Sequence, residues 1–242
     1  MRYPLGYIYP SYTPYIPKQY TIDIPLYRYT NPIQIQTKDI SYSDEYISGN
    51  LKYPEIKGLE DKEVENFINN SIQSDIMEFK RQMGEAAKET AEEAEERGEE
   101  FEPFIISSVY EVTYNKNDII SISIIYHEFI NGIHSYIKVS YNFNIKNGKP
   151  LSLKDLFKSG VDYQKIIDKE VRNELILNKE KYFPDTLENF KGIAEYHPFY
   201  IDNGDVAVYF GFHEIAPVAS QIPIIKIPFY KLRDYVKPMF LR

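Results

Sequence analysis

The side chains able to do chemistry are few. The chain has 242 residues with four His and no Cys, which excludes disulfides, thiol nucleophiles and thiolate metal sites. It contains no GxSxG, Walker loop, GxGxxG or HExxH. His127-Glu128 and His213-Glu214 each lack a second His at helical spacing. The Asp202-Asn203-Gly204-Asp205 segment lacks the further ligands of a calcium loop and reads as a hairpin turn. What remains is a cluster around Asn131-Gly132: His127, Phe129, His134 and Tyr136. A two-residue hairpin loop there places all four on one sheet face. Diagonal neighbours on a hairpin lie about 7 to 8 Å apart, so the two histidines could share a ligand or a metal.

The rest of that face argues for binding over catalysis. Its other side chains are Ser121, Ser123, Lys138 and Ser140, and none is a carboxylate. Glu128 alternates onto the opposite face. The expectation is therefore no catalytic residue, no metal and no cofactor, with His127, Phe129, His134 and Tyr136 as ligand-binding candidates. The competing reading is that a helix covers this face and the histidines are hydrogen-bonded, half-buried residues.

The elements that must position these residues are legible in outline. Asn-Gly between two apolar runs is the strongest short-range hairpin signal. It pairs Ile130 with Ile133, Phe129 with His134 and His127 with Tyr136. The core face then collects Ile120, Ile122, Ile124, Tyr126, Ile130, Ile133, Ile137, Val139, Tyr141 and Phe143. The preceding strand, Phe104 to Tyr114, joins through Asn115 to Asp118. Its Ile106, Tyr110, Val112 and Tyr114 reach the core face only if that loop has an odd number of residues, as a bulged turn supplies.

Upstream, residues 33–43 alternate as a strand and 50–58 form a second, shorter one. A long helix opens at Asp61 as N-cap and stops at Gly98. Its stripe runs Val64, Phe67, Ile68, Ile72, Ile76, Phe79 and Met83, then thins to alanines, so the Ala/Glu half is expected to project. Downstream, Ser152 and Asp155 stand in capping-box-like positions. A helix over about 162–181 carries Ile166, Ile167, Val171, Leu175 and Ile176, a hairpin turns at Asn203-Gly204, and a short helix closes the chain. Grouped rather than alternating elements predict an α+β fold, a largely antiparallel sheet packed with one long helix and shorter helices. Three parts follow: a Tyr/Pro-rich extended arm over 1–32, strands and the long helix over 33–102, and the antiparallel sheet with helices over 103–242, the last two packed as one unit.

Charge narrows the partners. The net charge is −8, and nine Glu against Lys88 and Arg97 between Glu85 and Glu102 account for −7, leaving −1 elsewhere. No basic stripe serves nucleic acid or an anionic membrane. Residues 1–32 hold eight Tyr and six Pro, a density that prevents helix or central strand. No signal peptide or membrane span is visible. The default expectation is cytoplasmic, with cell-envelope or spore association as the alternative.

Three segments carry a family resemblance: NLKYPEIKGLEDKEVENFINNSI, YHEFINGIHSYIKVSYNFNIKNGKPLSLKDLF and VAVYFGFHEIAPVASQIPIIKIPFYKL. In this order they resemble a domain of unknown function over roughly residues 33 to 236. It forms the extracytoplasmic region of RsiV-type, lysozyme-sensing anti-sigma factors and precedes the catalytic domain of PdaC-type peptidoglycan deacetylases. The resemblance implies a Gram-positive, α+β module that binds, with lysozyme as ligand in the anti-sigma factors. The 242 residues contain neither the sigma-binding segment and membrane span of the former nor the catalytic domain of the latter. Val218 and Gln221 stand where the family carries Tyr and Gly, and Ile133 replaces a small residue between Gly132 and His134. The expected function is a non-catalytic binding module for a lysozyme-like protein or a cell-wall glycan. The alternatives are a histidine-dependent hydrolase or metal enzyme, and a structural coat or surface component built on the Tyr/Pro arm.

Overall fold

Asn131 and Gly132 both adopt left-handed backbone, at φ 48° and 77°, the conformation that a tight two-residue hairpin turn demands. The register that follows is the expected one: Ile130 faces Ile133, Phe129 faces His134 and His127 faces Tyr136. The computed structural model describes residues 33–217 and 221–241, so the Tyr/Pro-rich segment 1–32 lies outside the described residues. Residues from Ile33 onward form one compact unit.

The first half of the chain builds a five-stranded sheet. In chain order come β1 (Gln34–Ser43), β2 (Ile47–Lys57), α1 (Lys62–Arg97), β3 (Phe104–Lys116), β4 (Ile119–Ile130) and β5 (Ile133–Asn144). The strands lie side by side in that same order. All neighbours are antiparallel except β2 and β3, which run parallel because α1 carries the chain back across the sheet. The second strand is one residue longer than the first, not shorter, since residues 47–49 also pair with β1.

Local chemistry sets both ends of α1. The Asp61 carboxylate accepts from the Glu63 and Val64 amides at 2.9 and 3.1 Å. At the far end Gly98 turns left-handed at φ 67°, and the Glu99 amide donates back to the Ala94 carbonyl at 2.9 Å. The stripe Val64, Ile68, Ile72, Ile76, Phe79 and Met83 is buried against the β-sheet. The Ala/Glu half does not project as expected. Ala87 and Ala94 are buried too, while Lys80 and Lys88 lie over the rings of Tyr42 and Tyr46. Alanine brings the helix backbone close to its neighbours and the glutamates occupy the outer faces, so a charged composition does not imply a solvated helix.

The parity of β3 is set by a bulge inside the strand, not by its loop. The Asn117-Asp118 loop has two residues, both at positive φ, and pairs Lys116 with Ile119. The register shifts at Thr113, between Val112 and Tyr114. Ile106, Tyr110 and Val112 therefore reach the α1 side as expected, but Tyr114 is turned to the other side, into a second core. The Thr113 hydroxyl donates to the Ser121 carbonyl at 3.2 Å, occupying an acceptor at the bulge.

That second core belongs to the other half of the chain. A 3-10 turn (Leu153–Leu156) has the Asp155 carboxylate accepting from the Ser152 amide and hydroxyl at 2.9 and 2.8 Å. There follow α2 (Tyr163–Leu177), α3 (Thr186–Asn189), β6 (Phe199–Asp202), β7 (Asp205–Tyr209), β8 (Ile224–Pro228) and α4 (Phe229–Leu232). The last three strands form a separate antiparallel sheet, with its hairpin turning at Asn203-Gly204. Phe199, Ile201, Val206, Val208, Ile225 and Ile227 pack with Ile167, Val171 and Leu175 of α2. Ile176, placed on the stripe from sequence, is 56% exposed. The chain is thus α+β with two sheets, one long helix and shorter ones.

The two sheets are locked by a buried polar pair. Ser121 and Asn142 face each other across β4 and β5. The Ser121 hydroxyl donates to Asn142 Oδ1 at 2.6 Å and accepts from the Ile201 amide at 3.0 Å, while Asn142 Nδ2 donates to the Phe199 carbonyl at 2.9 Å. Side chains of the large sheet thus bond backbone groups of β6, an edge strand. Asn142→Leu leaves a hydroxyl and a carbonyl unpaired, at about 1–3 kcal/mol each. Urea unfolding should show a loss of about 2–6 kcal/mol; an unchanged midpoint would mean apolar contact alone joins the layers.

His197 makes the fold acid-sensitive. Its ring packs against Phe210 at 4.9 Å, and its Nε2 is buried without a hydrogen-bond partner among the described residues. Burial holds the imidazole at about 4, against an ordinary 6.5. The unfolded chain therefore takes up this proton first, and stability falls as pH drops from about 6.5 towards 4. The contribution at stake is about 3 kcal/mol. Urea unfolding of His197→Phe should lose that much less stability than the parent between pH 7 and 4; parallel curves would refute the assignment.

Candidate functional site

The small sheet covers only part of the large one. Midway along the β4–β5 hairpin, Tyr200 and Tyr209 stand over Lys138, with its ammonium 4.8 and 5.7 Å from the ring centres. Burial lowers the Lys138 pKa. The Tyr209 hydroxyl accepts from Ser140 at 3.0 Å. Ser121 and Ser123 are buried here as well. The cover on this face is therefore a second sheet rather than the helix weighed from the sequence, because β6 has an edge to satisfy and Ser121 and Asn142 supply the partners. Toward the hairpin tip the same face is left open by the described residues.

Strand register assembles that open face across the whole sheet. Ser41, Asn50, Ser107, His127 and Tyr136 are successive partners from β1 to β5. At about 4.8 Å per strand the row spans about 19 Å. Its β1–β2 end is polar: Asn50 Nδ2 donates to Asp39 at 2.6 Å and to Ser41 at 2.8 Å. Its middle is apolar, with Ile105 47% and Val109 59% exposed on β3. These side chains share the histidine face because Ile105 pairs with Phe129 and Val109 with Ile125.

Its β5 end is a ladder of rings. His134 lies 4.7 Å from Phe129 and 5.0 Å from His127, His127 lies 4.9 Å from Tyr136, and Tyr136 lies 5.4 Å from Phe212. The His127–His134 and His127–Tyr136 planes are within 17° and 28° of parallel. His127 Nε2 and His134 Nδ1 are hydrogen-bonded at 2.7 Å, and Ser107 Oγ sits 3.5 Å from His127 Nδ1. The His127 pKa is lowered, first by burial and then by the charge of His134. All four candidates from the sequence are thus brought into mutual contact.

Glu128 lies on the α1 side, away from the histidines. It is buried, its Oε1 has no hydrogen-bond partner among the described residues, and burial raises its pKa. His213 is packed edge-on against Phe183 and His197 against Phe210, so neither joins the pair. Among the described residues no three His, Asp or Glu side chains are grouped to hold a metal ion. Sequence reasoning missed Phe212, Ser107, Ile105, Val109 and the Asp39–Ser41–Asn50 cluster. The alternation of β3 could have revealed its three members once the bulge was placed. Phe212 carried no such local signal, for it comes from a loop after β7.

Two family models match the chain. One, Deacetylase PdaC, matches residues 40–136, and the other, Protein of unknown function (DUF3298), matches residues 154–230. The first spans most of the large sheet, the second α2 and the small sheet. A solved DUF3298-family protein from Bacteroides fragilis aligns with a TM-score of 0.64 at 16% identity, covering 86% of this chain and 95% of that one. Another, from Pseudomonas aeruginosa, aligns with a TM-score of 0.61 at 17% identity, covering 87% and 97%. At such identities the likeness shows a shared fold. Comparison with curated proteins finds no match. The resemblance read from the three sequence segments is borne out for the PdaC- and DUF3298-type domain.

Gln221, a position singled out from the sequence, sits at φ 55°, a conformation that costs a residue with a Cβ about 1–2 kcal/mol. Val218 lies outside the described residues. Gln221→Gly should raise stability by up to about 1 kcal/mol, less than the full strain because glycine loses more entropy on folding. A lower melting temperature would show that the Gln221 side chain makes a compensating contact.

Proposed function

For a chain matched by PdaC- and DUF3298-type family models, we propose a non-catalytic recognition module whose open sheet face binds a folded protein. The observation that carries this reading is the exposed apolar centre of the face, Ile105 and Val109, set beside the ring ladder. His127 and His134 meet edge to edge through a 2.7 Å hydrogen bond, so their near-parallel planes lie side by side and one nitrogen of each ring is already used. A sheet face with exposed Ile105 and Val109, beside hydrogen-bonding Asn50 and Ser107, has the make-up of a protein interface, with apolar and polar groups interleaved.

The hydrolase alternative is disfavoured by the placement of Glu128 across the sheet from the histidine pair. Catalysis at these histidines would draw on a convergent acid, whereas the hydrogen-bond partners of the pair are Ser107 and each other. The coat-component alternative rested on residues 1–32, which lie outside the described residues.

The resemblance to lysozyme-sensing domains makes lysozyme the first probe, with soluble peptidoglycan fragments as the second. In calorimetric titrations, lysozyme should bind the parent protein. Val109→Glu, a charge placed at an exposed position in the centre of the face, should weaken it at least about tenfold, equal to 1.4 kcal/mol. Binding of glycan fragments but not of lysozyme, lost in the same variant, would replace the protein ligand with a glycan. Lysozyme affinity indifferent to Val109→Glu would move the interface elsewhere.

A further inference from the structure

The contact between His127 and His134 is a hydrogen bond between two groups of the same kind, and that restricts how many protons the pair can hold. A neutral imidazole has one N–H donor and one acceptor nitrogen. With Nε2 of His127 and Nδ1 of His134 2.7 Å apart, one of the two must donate and the other accept. A first added proton goes to an outer nitrogen, His127 Nδ1 or His134 Nε2. The N–H···N bond then stays in place and becomes charge-assisted. A second added proton makes both rings donors at both nitrogens. Two cations then point N–H groups at each other with no acceptor between them, and only separation relieves it.

We infer that the His127–His134 pair is a proton-counting clasp: it holds the ring ladder closed with up to one added proton and opens it on the second. The opening has a defined route. His134 is exposed and two residues from the Asn131-Gly132 turn, whereas His127 is half-buried, so His134 is the ring that moves. It is in contact with Phe129, and His127 with Tyr136, whose other neighbour is Phe212. Phe212 is the ladder ring supplied by the loop after β7, so its seat depends on rings ordered by the clasp.

The charged and titratable groups around the pair do not replace this control. On β3 the facing residue is Ser107, with Glu111 farther toward the root; β5 contributes Tyr136 and Lys138. Asp39 and Lys52 lie on β1 and β2, and His213 and Glu214 follow Phe212 in its loop. Lys138 is held over Tyr200 and Tyr209, and Glu214 accepts from the Gly211 amide. His134 is the charge that acts on His127. The clasp regulates the recognition face proposed above and rests on that reading for its biological meaning, but the proton count itself does not.

NMR titration of the full chain without ligand, from about pH 8 to about pH 4, tests it. The Cε1–H signals of the two histidines should titrate in two steps separated by more than about one pH unit, as strongly coupled sites do. Phe212 ring signals should shift in the second step only. In His134→Gln, which retains a hydrogen-bonding partner for His127 but takes no proton, a single step should remain and Phe212 should stay still. Two independent single-step titrations in the parent would overturn the inference, as would Phe212 signals unmoved by the second step. Loss of amide dispersion together with the second step would also overturn it, because unfolding rather than ladder opening would then be the event. A failure of lysozyme or glycan binding leaves all these readouts in place, so the two proposals fail separately.

Discussion

The arrangement depends on how the edge of β6 is satisfied. Backbone N–H and C=O groups buried without partners are costly, and a three-stranded sheet laid on a larger one buries part of its own edge. Ser121 and Asn142 meet that demand at two points, on the Ile201 amide and the Phe199 carbonyl. Because these residues sit near the root of the β4–β5 hairpin, the small sheet is held at the root. Among the described residues the tip is left uncovered, and the open face is what remains of the large sheet beyond this cover.

The bulge at Thr113 complements that lock. Without it, every even-numbered residue of β3 would share the α1 side, and Tyr114 with them. The shift lets one strand serve two cores, with Ile106 packed in the first and Tyr114 in the second. Thr113 meanwhile donates to the carbonyl of Ser121, a residue of the lock. Bulge and lock are thus adjacent, and together they fix where the sheet stops being two-sided and becomes an open platform.

Electrostatics on that platform are arranged by burial more than by charge. Lys138 is sheltered between tyrosine rings, Glu128 is sequestered on the α1 side, and the acidic half of α1 lies on the opposite side of the sheet from the histidines. The open face therefore carries little fixed charge near the ladder, which is why the protons on two imidazoles weigh there.

Short-range rules determined much of this protein from its sequence alone. The Asn131-Gly132 and Asn203-Gly204 turns, the Asp61 and Gly98 ends of α1 and the sharing of one face by His127, Phe129, His134 and Tyr136 all follow from dihedral preferences and two-residue alternation. Those constraints act within a few residues and survive any tertiary context. Tertiary structure decided the rest: the existence of a second sheet, the burial of Ala87 and Ala94, the seat of Phe212 in the ladder and the turning of Tyr114 to the second core. Each depends on which unpaired backbone edge or apolar face comes to lie against another from a distant part of the chain, a competition settled by long-range satisfaction of hydrogen bonds and burial rather than by residues close in sequence.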